Sequence, residues 1–109
     1  MKIPNHKARE KVINRCEFTG SNLFGEIRGG MYVVYSYGEH WPLWVYDNDV
    51  RGWFGNSDKY SRSTTRHASQ TQPCPGSEIK WLGSEEMLYL VRVGGALEYM
   101  KRRIGGIAA

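Results

Sequence analysis

Cysteine is nearly absent from this chain of 109 residues: Cys16 and Cys74 are the only thiols, and they lie far apart. Two isolated cysteines build neither a four-ligand zinc site nor the multi-bridge framework of a small secreted domain. A reduced, cytoplasmic setting is the expectation, with pairing of the two thiols the open alternative. Histidine occurs only at positions 6, 40 and 67, a spacing that makes no HExxH or related ligand box, so no metal and no other cofactor is expected. A phosphate-cradling glycine loop and a nucleophile motif are missing as well. No run approaches the roughly 18 apolar residues that a membrane span needs. The opening segment MKIPNHKAREKVINRC is basic without the apolar core of a signal peptide.

Aromatic side chains are plentiful. They make up 13% of the chain, and residues 31–67 hold three of the four tryptophans and five of the seven tyrosines. Each buried ring brings roughly 150–250 Å² of contact, so a few of them can dominate the core of one small domain. The net charge is +4 and the pI about 9.2, which is basic enough to bring nucleic acid into consideration as a partner. The charge is also segregated along the chain. Residues 1–15 carry five cations and one acid, residues 16–50 one cation and five acids, and residues 51–67 four cations and one acid. Such blocks give a folded molecule the chance of a basic face.

The apolar pattern predicts an α+β fold in a single domain spanning 1–109. Asn5 followed by HKAREKVINRC reads as a short N-terminal helix or arm over 1–16, with Ala8 and Val12 on one stripe. From Leu23 the period changes to that of strands. LFGEI and MYVVYSY flank Arg28-Gly29-Gly30, a hairpin composition, and LWVYD and Gly52-Trp53-Phe54 follow, giving an antiparallel meander over 23–54. The second strand carries bulk on both sides and is expected to be central. A possible strand at 78–82 would bring the sheet to four or five strands. Residues 55–77 show no helical or strand period and are expected to form a polar, basic loop. Ser84 with Glu85 and Glu86 opens a C-terminal helix over 84–104 that packs on one face of the sheet. Gly94-Gly95 interrupts it, so the helix either passes close to a strand there or breaks, with EMLYLVRV as a strand before a shorter helix.

Two groups of residues stand out as a binding surface. Lys59, Arg62, Arg66 and His67 supply charge for backbone phosphates, and the hydroxyls of Thr64 and Thr65 supply short hydrogen bonds to fix register. Tyr60 with Trp41 or Trp53 supplies flat rings for stacking, worth on the order of 1–3 kcal/mol per base. His40 and His67 also include the residue type for general acid and base work, but no pair here has a diagnostic spacing.

The segments YVVYSYGEHWPL and NSDKYSRSTTRHASQ resemble a group of small proteins carried by bacteriophages and plasmids, in which a YSYGxHxP element precedes an SxxYSxTTx[KR]H element. The matched positions are Tyr35, Tyr37, Gly38, His40, Pro42, Tyr60, Ser61, Thr64, Arg66 and His67. Ser63 stands in the place of the second element's first threonine, and Thr65 completes a threonine pair one residue later. The resemblance implies a mobile-element origin, residence in a bacterial host and no particular reaction. Together these readings predict a non-catalytic accessory protein that binds nucleic acid through a basic, aromatic surface. The alternatives are an inhibitor or adaptor docking on a host defence protein, and, less favoured, a small hydrolase or transferase using His67.

Overall fold

A computed structural model of the chain describes residues 2–58 and 61–108, with side chains through Arg102. The two glycines after Arg28 close a hairpin between β2 (Leu23–Arg28) and β3 (Met31–Ser36), with Gly29 at φ 58°. β4 (Pro42–Asp47) and β5 (Gly52–Asn56) continue the antiparallel meander. β6 (Ile79–Leu82) then lies parallel to β5, and a parallel neighbour requires a crossover connection. Helix α2 (Arg62–Thr71) forms the body of that crossover. With the short β1 (Phe18–Thr19) on the other edge, the sheet has six strands in the order β1-β2-β3-β4-β5-β6, and the fold is α+β.

The expected central strand is central: all six residues of β3 are buried, because helices cover both faces of the sheet. Tyr32, Val34 and Trp44 share one apolar cluster with Ala8 and Val12 of α1 (Ala8–Ile13), and Ala68 of α2 packs against it. Val33, Tyr35 and Val45 share the other with Met87, Leu90 and Ala96, from α3 (Ser84–Val93) and α4 (Ala96–Ala108). The result is two helices on each side of one sheet.

Three expectations are corrected here. The sheet has six strands instead of four or five, and the added β1 is only two residues long, too short to show a period. The expected loop at 55–77 contains a helix of ten residues. Its buried positions Thr64, His67 and Thr71, with half-buried Ala68, repeat at helical spacing, but three of the four are polar, so an apolar count passes over them. The single helix expected over 84–104 is two helices. EMLYLVRV is helical, and the chain breaks at Gly94 and Gly95, whose φ values of 95° and 134° favour glycine. Both cysteines are free thiols.

Asp47 fixes that break. Its Oδ1 accepts from the backbone N–H of Asp49 at 2.8 Å and of Val50 at 3.3 Å, and its Oδ2 accepts from Ala96 N–H at 2.6 Å. One buried carboxylate thus shapes the β4–β5 turn and caps α4. A Cβ on Gly95 would lie 2.7 Å from Asp47 Oδ2, so only glycine lets the helix start this close. Asp47→Ala leaves buried amides unsatisfied and is expected to cost about 3 kcal/mol, read as a lower urea midpoint at unchanged m-value.

Candidate functional site

Helix α2 is positioned by polar contacts. Ser61 Oγ accepts from Thr64 N–H at 3.1 Å and starts the helix, while Thr65 Oγ1 donates to Ser61 O at 3.0 Å. On the underside, Trp44 Nε1–H donates to Thr71 Oγ1 at 2.8 Å, and Thr71 Oγ1–H donates to His67 O at 2.6 Å. His67 Nδ1 and Ser36 Oγ share a hydrogen bond of 2.7 Å. His67 is 5% exposed, and Tyr37, at φ 63° just beyond β3, lays its ring over the imidazole with centroids 5.5 Å apart. Burial, and then the charge of Arg66, push the His67 pKa below its ordinary value.

The opposite side of α2 presents Arg62, Thr65 and Arg66 to solvent. Helix α1 packs alongside, and the Arg9 guanidinium donates to the Ser69 carbonyl. Lys7, just before α1, and Arg9 and Lys11 within it are exposed, and Glu10 is the one acid in α1 and α2. Among the described residues, Lys7, Lys11, Arg62 and Arg66 enter no ion pair; the pairs present join Arg28 to Glu26 and Glu39, and Arg102 to Glu98.

The sequence-predicted residues therefore divide. Arg62, Thr65 and Arg66 lie together on the exposed face of α2. Thr64 and His67 lie beneath it, held against the sheet and turned away from the surface role expected for them. Trp53 is a core residue, 9% exposed and wedged edge-on between Tyr32 and Tyr46. Trp41 is half-buried against the same core. Lys59 and Tyr60 lie outside the described residues.

Two exposed rings were not among the expected site residues: Tyr37, 42% exposed, and Trp81, 44% exposed. Trp81 was legible in principle. Ile79 and Trp81 alternate with Lys80 along an edge strand, so both rise on the face that carries α2. Between α2 and β5/β6 lies a cleft of about 380 Å³, lined among others by Leu43, Trp44, Asn56, Asp58, Thr65 and Trp81.

The His67 geometry has a pH signature. A histidine with a lowered folded-state pKa takes up protons more readily when unfolded. Its stabilising contribution is complete above about pH 6.5 and is lost as pH falls through the lower folded value. Denaturant unfolding of the protein minus that of His67→Gln, followed from pH 7.5 to pH 5, is expected to show this decline. Comparison of the chain with protein-family models, with curated proteins and with solved structures finds no match.

Proposed function

We propose that the protein is a non-catalytic accessory factor of phage or plasmid type that binds nucleic acid across the face formed by α1 and α2. The observation that carries this reading is the set of exposed cations Lys7, just before α1, Arg9 and Lys11 on α1, and Arg62 and Arg66 on α2, two adjoining helices whose one acid is Glu10. Cations left without carboxylate partners are available to replace the counterions of a phosphate backbone. The hydroxyls of Thr65 and Ser69 sit within the same rows of α2, since residues three and four apart are neighbours on a helix. Tyr37 supplies an exposed ring near this face in the role first assigned to Trp53.

A second reading, docking on a host protein, draws on Leu97 and Met100, which are 55% and 43% exposed on α4. Retention of one stoichiometric host protein after nuclease treatment, lost in Leu97→Asp, would favour it.

The first reading predicts binding of oligonucleotides that weakens steeply with salt. Arg62→Ala and Arg66→Ala are each expected to reduce the slope of log K against log salt by about 0.7 to 1, measured by fluorescence anisotropy. Unchanged slopes, or no binding at low salt, would exclude the phosphate contact.

A further inference from the structure

We infer that the cleft between α2 and the β5–β6 edge is a base pocket, which takes one unstacked nucleobase bearing N–H donors on its edge, guanine best of all. The inference rests on the nucleic-acid reading above and specifies which part of the strand enters the protein and which stays outside.

The cleft, at about 380 Å³, is of the size that holds a small organic ligand. Its aromatic wall is prepared in advance. The Trp81 indole Nε1–H donates to Gly76 O at 3.1 Å, and the ring meets Trp44 edge-on with centroids 5.7 Å apart. Gly55 lies beneath both: a Cβ there would come within 2.6 Å of the Trp44 ring and 2.9 Å of the Trp81 ring. Trp81 is thus held down on the backbone in one orientation while nearly half of its surface stays open to solvent. A fixed, uncovered indole beside a cavity is a stacking surface that needs no rearrangement on binding.

The polar groups of the wall select what stacks there. Asn56 is already committed, with Nδ2 donating to Pro42 O at 3.0 Å and Ser84 Oγ at 3.2 Å, and Oδ1 accepting from Asp58 N–H at 2.9 Å. Trp44 Nε1 is committed to Thr71. Asp58 supplies the one ionisable side chain among the described lining residues. Its Oδ2 accepts from Ser84 N–H at 2.8 Å, and the Ser84 hydroxyl also bonds the carboxylate, two of the roughly four acceptor positions that a carboxylate offers. A carboxylate repels phosphate and accepts from N–H groups, so the cleft suits a base edge and not the backbone. Guanine offers two adjacent donors, N1–H and the N2 amino group, whereas thymine offers one and its flanking carbonyls face the carboxylate. Phosphates remain outside: Arg62 and Arg66 neighbour Thr65 and Ser69, which border the cleft.

The test uses the full chain, with two probes. Single-stranded oligothymidylate and the same strand with interspersed guanines are compared by anisotropy at low salt, and 5′-GMP is compared with 5′-TMP by the shift of the Trp81 indole N–H resonance. The expected result is about tenfold tighter binding of the guanine strand, with GMP but not TMP moving the Trp81 signal. Trp81→Leu and Asp58→Asn should abolish the preference while leaving the salt slope unchanged, and Trp81→Phe should restore part of it. Asparagine keeps an acceptor for Ser84 N–H, so Asp58→Asn retains the fold. Equal affinity for both strands with normal salt dependence would overturn the pocket and leave the phosphate grip standing. Loss of strand binding with a persistent GMP shift would overturn the grip and support the pocket. Silence of the Trp81 signal to both nucleotides would overturn the pocket.

Discussion

The seating of α2 depends on hydrogen bonds where other helices of this size use apolar packing. Ser36 with His67 and Trp44 with Thr71 join the helix to the middle of the sheet. Each such bond contributes only about 1 kcal/mol net, but leaving a buried donor unmade costs about 1–3 kcal/mol. A slip of one residue would turn the helix by about 100° and break both contacts. The seam therefore sets rotation more than it adds stability. Because the rotation is set, Arg62 and Arg66 have one outward direction.

The same seam explains what could be read in the sequence. The meander was legible because alternating apolar residues and glycine turns report directly on strands, and β3 was recognisable as central from bulk on both sides. The cationic face was half legible. Two basic blocks, at the N-terminus and after residue 50, are separated by an acidic one, and α1 and α2 bring them side by side. What stayed hidden was the helix over 62–71, whose inner face consists of threonine, histidine and alanine, residues that composition assigns to surface. The burial of Thr64 and His67 is hidden for the same reason. The break at Gly94-Gly95 was marked by the glycines, but its cause, the approach of Asp47 from a distant turn, has no local signal.

The two sides of the sheet are built differently. One side combines an aromatic cluster with polar seams, and among the described residues its Lys7, Lys11, Arg62 and Arg66 enter no ion pair; the Arg15 guanidinium lies 4.1 Å above the Tyr46 ring, held by an aromatic face. The other side buries methionine and leucine, and its α4 carries the i,i+4 pair of Glu98 and Arg102. An exposed pair of that kind contributes little to stability, yet it neutralises charge locally. The contrast gives the molecule a charged side and a balanced one without a large overall charge.

Asp58 stands at the rim of the cleft on one side of the sheet, while its carboxylate holds the first amide of α3 on the other. Asn56 reinforces the link through Ser84 Oγ. A guest that draws this carboxylate toward itself must share it with the opening turn of α3. Filling the cleft would then register as faster amide exchange at the start of a helix the guest never touches, so the two layers are mechanically geared through a single strand end.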